Sequence, residues 1–421
     1  MKEKILAPGD KVKLQTRERE FTGWILESYQ PEIILLKLES GYNIGIKESQ
    51  ILNARILEKA RQEIKKEIKF SENKSLPNIA MIITGGTISS RLDPKSGAVK
   101  WTTIGDILTI SPELSKICNI KKIENPFMKA SENMSFSDWK ILAETAKKLL
   151  EQEDIKGIII THGTDFLHYT ASALAFTLGK LNKPIALTYS QRSIDRGSTD
   201  AALNLLCAAK YAVSDIAEVA IIGHKNLNDI SCLAMPATKT RKMHTSRRDA
   251  FKIINDKPIA EISEKDFKIF KEFNARTQEK IKPDIKFNEK IALLQIAPGQ
   301  NPDILDFLAS KYKGIILELT GLGHVPSSEA RYNWISKIKK LISSGVIICG
   351  TAQAFYGSLN PKVYSPGREL EKTGLIFLKD MLPETAFIKL AWVLAHKNWN
   401  PKEKMLQNII GELNPRLDFE F

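Results

Sequence analysis

The chain has 421 residues, 43% of them hydrophobic, and a net charge of +13 from 62 basic and 49 acidic side chains. That length holds about two or three domains of typical size, and charges interrupt every apolar stretch before it approaches a membrane span. Four cysteines (Cys118, Cys207, Cys232, Cys349) lie far apart with no paired spacing, which fits a reduced, cytoplasmic protein and argues against a structural zinc site. The start, Met1-Lys2-Glu3-Lys4-Ile5, lacks the apolar core of a signal peptide. The positive charge permits a polyanionic partner. Its basic residues, however, recur in 55–69, 239–248 and 265–290, usually with acids between them, so a solvated Lys/Glu-rich surface is the favoured reading.

Residues 8–52 carry short apolar runs separated by turn residues: Val12-Lys13-Leu14, Trp24-Ile25-Leu26, Ile33-Ile34-Leu35-Leu36 and Ile44-Gly45-Ile46. Strands at this spacing predict a small all-β barrel. Ile56, Leu57, Ala60, Ile64 and Ile68 fall on one stripe, so 54–69 is expected to be a charged amphipathic helix. Ser71 to Asn78 is polar, contains Pro77 and reads as a linker.

From residue 79 to about 258, strands alternate with helical patterns, as in an α/β fold with a parallel sheet. Ile79-Ala80-Met81-Ile82-Ile83 and Gly157-Ile158-Ile159-Ile160 are short and β-branched, as buried parallel strands are. Thr84-Gly85-Gly86-Thr87-Ile88 follows the first, and Thr161-His162-Gly163-Thr164-Asp165 follows the second. Leu167, Ala171, Leu174 and Leu178 then repeat with helical period. Further strands are expected at 185–188 and 219–222. The charged stretch 259–290 is taken as an interdomain connection. A second α/β unit then has strands at 291–295, 314–319 and 345–349. The expected organisation is a barrel at 1–53, a helix and linker at 54–76, and α/β domains at 77–285 and 286–421.

Ligands of open α/β sheets sit where strands deliver their carboxyl ends, so Thr87, Thr164 and Asp165 are expected in one crevice. A threonine Oγ attacks an amide carbonyl when a neighbouring base takes its proton. Gly85 and Gly86 let the backbone come close to a ligand, and turn N–H groups can hold an oxyanion or a carboxylate. Taken singly, either threonine is as readily a helix cap; two at matching strand ends favour function. Gly321-Leu322-Gly323-His324-Val325-Pro326 lacks the third glycine of a dinucleotide fingerprint, no Walker-type lysine follows a glycine loop, and six scattered histidines offer no i, i+4 pair. Neither metal nor nucleotide use is expected of this chain.

Thr-Gly-Gly-Thr-Ile together with His-Gly-Thr-Asp resembles the bacterial-type L-asparaginase family. Lys239-Thr240-Arg241-Lys242-Met243-His244-Thr245-Ser246-Arg247-Arg248-Asp249-Ala250-Phe251 supports this, with Lys242 at the family's lysine position. Ala130-Ser131-Glu132-Asn133-Met134 resembles its substrate-carboxylate loop. The resemblance implies that Thr87 is the foremost candidate nucleophile. Lys242 and Asp165 would activate Thr164 or the attacking water, and Thr164 is the alternative nucleophile. Burial or neighbouring cations would have to adapt Lys242 for base work. Ser131, Glu132 and Asp165 would hold the substrate's charged end, with Gly86 and Gly163 lining the site. Without the resemblance, Lys242 would read as a surface charge and Ser131 and Glu132 as loop.

The front extension, Ser190-Gln191-Arg192-Ser193, Val363-Tyr364-Ser365-Pro366-Gly367-Arg368-Glu369-Leu370 and Asn408-Ile409-Ile410-Gly411-Glu412 narrow the resemblance. They are similar to the archaeal D subunits of glutamyl-tRNA(Gln) amidotransferases, over nearly the whole chain. This implies release of ammonia from free glutamine or asparagine. A separate E subunit would use it to amidate Glu-tRNA(Gln), with ATP and Mg at that partner and a homodimer within a heterotetramer. The alternatives are a stand-alone cytoplasmic L-asparaginase and, more remotely, a non-catalytic scaffold that binds a partner or RNA. Three departures stand out: Phe166-Leu167 where the family has Thr-Met, Pro94 where a tyrosine is common, and Leu319 where glycine is usual.

Overall fold

The structure is a computed structural model that describes residues 6–26, 28, 32–39, 43–59, 73–92, 99–101, 111–194 and 196–416. The Pro94 loop, Asp195 and most of the expected 54–69 helix lie outside these residues.

The front of the chain forms five antiparallel strands: β1 (Lys11–Thr16), β2 (Glu20–Leu26), β3 (Ile33–Leu38), β4 (Asn43–Lys47) and β5 (Ile51–Glu58), in the order β4-β3-β2-β1-β5. They wrap a core of Val12, Leu14, Ile25, Leu36 and Ile46, in keeping with a small barrel. The expectation of helix from residue 54 is wrong where it can be checked. Residues 54–58 are strand, with Ala54 opposite Leu14 and Ile56 opposite Val12. Arg55 and Leu57 point outward, so period two, not period 3.6, governs this stretch.

The central sheet contains β6 (Asn78–Ile83), β9 (Asn119–Glu124), β10 (Ile158–Thr161), β11 (Ile185–Thr188), β12 (Val219–His224), β13 (Ser231–Pro236), β16 (Ala260–Ser263) and β17 (Phe267–Ile269). Their order is β17-β16-β13-β12-β11-β10-β6-β9. The half from β9 to β12 is parallel; β13, β16 and β17 add on antiparallel. Two short hairpins lie apart, β7 (Ser90–Leu92) with β8 (Val99–Trp101), and β14 (Thr240–Lys242) with β15 (Phe251–Ile253).

Both faces of the sheet are covered, which explains the continuous apolar runs. Ala80, Ile82, Ile158, Ile160, Ile185 and Leu187 face helices α1 (Phe136–Leu150) and α2 (Leu167–Leu178). The alternate residues Ile79, Met81, Ile83, Ile159 and Ala186 face α3 (Ala201–Val213). The stretch 259–290 is therefore only partly a connection. Its first residues are edge strands, because Ala260 and Ile262 are buried while Glu261 and Ser263 are not.

The second lobe is a parallel sheet of β18 (Ile291–Gln295), β19 (Gly314–Leu319), β20 (Ile347–Ala352) and β21 (Ile376–Phe377). Helices α4 (Ile304–Lys311), α5 (Trp334–Ser343), α6 (Ser365–Lys372), α7 (Pro383–Val393) and α8 (Pro401–Leu406) accompany it. Leu319 is buried at the end of β19. The lobes share a core in which Phe176 of α2 stacks on Trp392 of α7 with ring centres 5.8 Å apart. Lys239 and Asp380, both buried, meet across the same boundary at 2.5 Å.

Candidate active site

β6 and β10 are parallel neighbours with Ile83 opposite Thr161, so their following turns emerge side by side. Thr84 is tied to the β10 end twice, through its N–H at 3.2 Å and its hydroxyl at 2.8 Å, both donated to the Thr161 carbonyl. The glycines between the threonines are required. Gly85 and Gly86 have φ of 117° and 82°, and a Cβ on Gly86 would sit 2.4 Å from the Gly163 nitrogen. At this point the two turns touch backbone to backbone. Thr87 opens one turn of 3-10 helix, Thr87–Ser89.

A third segment joins them. Lys129 donates its N–H to the Thr84 carbonyl at 2.9 Å, and its amine pairs with Asp138 at 2.6 Å. Burial pushes the Asp138 carboxyl up, but Lys129 and the Ser135 cap outweigh it and hold it below its ordinary value. Two residues on, Ser131 is buried, and its Oγ accepts from the amides of Asp165 at 3.0 Å and Phe166 at 3.2 Å. It therefore holds the turn that leads into α2 from another segment, and among the described residues its own hydroxyl hydrogen remains to be donated. Glu132 is exposed in the same 3-10 turn, Ser131–Asn133. Phe166 makes its contact to Ser131 through the backbone, and its ring packs on Tyr169 at 5.1 Å, so the side-chain departure at this position leaves that hydrogen bond intact.

β14 carries Lys242 over this cluster. Lys242 Nζ donates to Thr164 Oγ1 at 2.7 Å and to Asp165 Oδ1 at 2.8 Å. The lysine side chain is 13% exposed and the aspartate 57%, so the pair lies at the rim with Thr164 beneath. The strand is held on both sides. Thr240 Oγ1 donates to the Pro236 carbonyl at 2.6 Å. Arg241 pairs with Glu384 of the second lobe at 2.6 Å and lies 4.6 Å over the Phe355 ring. Burial pushes the Glu384 carboxyl up; His168 and Arg241 outweigh it and hold it below its ordinary value.

Thr164, Asp165 and Lys242 are thus in direct contact, Ser131 and Gly163 lie against them, and Gly86 places the Thr87 turn alongside. Glu132 is brought near only through Ser131. The sequence gives no sign of Glu384, and it shows Arg241 only as a charge beside Lys242 and His162 only as a flanking residue that the family pattern does not require. An arginine immediately before the site lysine was visible, but its partner comes from the other lobe. Burial pushes the His162 ring down to about 4, against its contact with the Gly163 carbonyl. The cavity of about 370 Å³ lined by Ala175, Leu181, Val219 and Ile410 lies at the amino end of β12, away from these turns. Among the described residues no group of three or more His, Cys, Asp or Glu is placed to hold a metal ion. No helix among them is long and apolar enough to cross a membrane.

Three families match the chain: "Asparaginase, N-terminal" over residues 78–275, "Glutaminase/Asparaginase C-terminal domain" over 290–405, and "GatD N-terminal domain" over 6–57. Among solved structures, a thermostable L-asparaginase from Thermococcus kodakarensis superposes with a TM-score of 0.72 at 26% identity, covering 80% of this chain and 100% of that one. L-asparaginase I from Vibrio cholerae gives 0.68 at 26% identity, covering 80% and 99%. Full-length relatives are closer in sequence. The D subunit of the glutamyl-tRNA(Gln) amidotransferase of Pyrococcus furiosus is 43% identical over 433 residues, covering 99% of this chain and 97% of the relative. That of Thermococcus kodakarensis is 42% identical over 430 residues, covering 99% and 96%. The contact of Thr164, Asp165 and Lys242 therefore sits on an asparaginase fold behind a front unit that the two L-asparaginases, covering 80% of the chain, do not account for, and the chain belongs to the family of glutamyl-tRNA(Gln) amidotransferase D subunits, amidohydrolase components of that enzyme.

Proposed function

We propose that the chain hydrolyses the side-chain amide of free glutamine or asparagine and delivers the ammonia to an E-type partner, which amidates glutamate carried on tRNA(Gln). ATP and Mg act at that partner, and the working assembly is a heterotetramer around a homodimer of this chain in the cytoplasm. The observation that carries the reading is the Lys242 amine bridging Thr164 and Asp165. In this reading the Thr87 hydroxyl attacks the amide carbon, the amide nitrogen leaves as ammonia, and water then cleaves the acyl ester to free the acid. Thr164, Lys242 and Asp165 carry protons to and from the reacting oxygens. The Ser131 hydroxyl donates to the substrate's α-carboxylate, and Asp165 and Glu132 attract its α-ammonium.

Units at 1–53, 77–285 and 286–421 are our working division of the chain. The front unit and the family assignment favour the partner-dependent amidase over a stand-alone asparaginase, which would share the same site. The test is ammonia release by the purified chain from glutamine and from asparagine, with and without an E subunit and Glu-tRNA(Gln). Stimulation by the partner supports the proposal. Full activity alone, with no complex formed, supports the stand-alone enzyme.

A further inference from the structure

One buried polar chain reaches the site from behind. Trp139 Nε1 donates to Thr170 Oγ1 at 2.9 Å, Thr170 Oγ1 lies 2.9 Å from His162 Nε2, and His162 Nδ1 lies 2.7 Å from the Gly163 carbonyl oxygen. Thr170 and His162 are fully buried and Trp139 is 4% exposed.

The two ends decide the direction of every bond. An indole N–H only donates, and a carbonyl oxygen only accepts. His162 must therefore carry its proton on Nδ1, facing Gly163. Its Nε2 is then an acceptor, which the Thr170 hydroxyl hydrogen fills, while the Thr170 oxygen accepts from the indole. The opposite tautomer would press a ring lone pair against a carbonyl lone pair at 2.7 Å. Burial keeps the ring neutral at ordinary pH, with His168 nearby adding to the same effect.

The chain ends on the peptide that carries Thr164. In a planar trans peptide the C=O and N–H point in opposite directions. His162 holds the Gly163 carbonyl toward the interior, so the Thr164 N–H is turned the other way. Among the described residues that N–H donates to no acceptor, which leaves it for a ligand. We propose that His162 is a positioning residue, which locks the Gly163–Thr164 peptide so that the Thr164 N–H meets the oxygen that gains charge when the substrate carbonyl is attacked. Thr170 and Trp139 hold the histidine in the tautomer that does this. The inference rests on the amidase reading above. A donor aimed in advance at the developing oxyanion acts in the transition state and scarcely in the ground state.

The test compares His162→Asn with His162→Gln in the full chain, with its partner where activity requires it. Asparagine presents an N–H where Nδ1 stands; glutamine presents one where Nε2 stands and leaves the Gly163 carbonyl without a donor. Ammonia release by His162→Gln should show kcat lowered roughly 100-fold with KM little changed, and His162→Asn should recover most of the loss. Equal losses in both variants, or a loss confined to KM, overturns the proposal. A second measurement needs no variant to fold: nitrogen NMR of histidine-labelled wild-type chain should contain a neutral ring protonated on Nδ1 for His162, and a ring protonated on Nε2 overturns it. A wild-type chain that releases no ammonia overturns the amidase reading itself, whereas active wild type with fully active His162→Gln removes this inference alone.

Discussion

Lys242 and Thr164 meet at 2.7 Å although 78 residues separate them in the chain. The contact exists because a parallel strand ends at Thr161 and a separate hairpin, β14–β15, hangs Lys242 over the turn that follows. Asp165 lies on the same amine, at 2.8 Å.

The first expectation follows from that contact. Lys242→Ala, Thr164→Ala and Asp165→Ala should each lower kcat for amide hydrolysis by roughly 100-fold or more, and Thr87→Ala should do the same. Ammonia release under saturating amide measures it. Near-normal turnover in any two of the four would remove the assignment.

The structural contact of Ser131 and its proposed substrate contact separate in experiment. Ser131→Ala leaves the amides of Asp165 and Phe166, just before α2, without their acceptor, which should lower stability by about 1 kcal/mol. Under the proposed function it also removes a donor to the substrate's carboxylate, so KM should rise. Glu132→Ala, exposed and outside the Ser131 hydrogen bonds, should raise KM and leave the melting temperature unchanged. A melting shift in Glu132→Ala equal to that of Ser131→Ala contradicts this division.

The Arg241–Glu384 pair fastens the strand of Lys242 to the second lobe. Glu384→Gln should destabilise the protein at neutral pH by up to about 3 kcal/mol, because it strands a partly buried guanidinium. The folded-state carboxyl is depressed, so its stabilisation is present above the ordinary carboxylate value and is lost as pH falls through the lower folded value. The stability gap between wild type and variant should therefore close in acid. A gap that stays constant down to pH about 3 contradicts the ion-pair account.

His162 makes a separate pH signature. Its ring is neutral when folded and sits down at about 4. The unfolded chain binds that proton first, so stability should fall as pH drops from about 6.5 toward 4, by a few kcal/mol in all. Denaturant unfolding of His162→Asn should lack this part of the slope. An unchanged slope would show that the ring protonates in place.

Much of this was legible from the chain. Runs such as Ile158-Ile159-Ile160 are apolar at every position because both faces of the sheet are covered, and a short β-branched run of that kind has few other uses. The helix at Leu167–Leu178 begins and ends where its periodicity does. The segment from Ile51 to Glu58 was not legible, since Ala54, Ile56 and Leu57 suit both periods until pairing with β1 selects one. Edge strands such as Ala260–Ser263 were hidden by a charged context. The Arg241–Glu384 and Lys239–Asp380 contacts join residues from different lobes, and no local pattern announces them. His162 was visible as a letter in a motif; its role depends on Thr170 and Trp139 on two other helical positions.

In the proposed function this site supplies ammonia to a partner that uses it elsewhere. The direct measurement is formation of Gln-tRNA(Gln) by the chain with its E subunit, ATP and Mg, comparing wild type with Lys242→Ala, each given either an amide donor or ammonium chloride. Lys242→Ala should fail with glutamine and asparagine and work as well as wild type with ammonium. A variant that still uses the amide, or one that also fails with ammonium while its complex remains assembled, would contradict it.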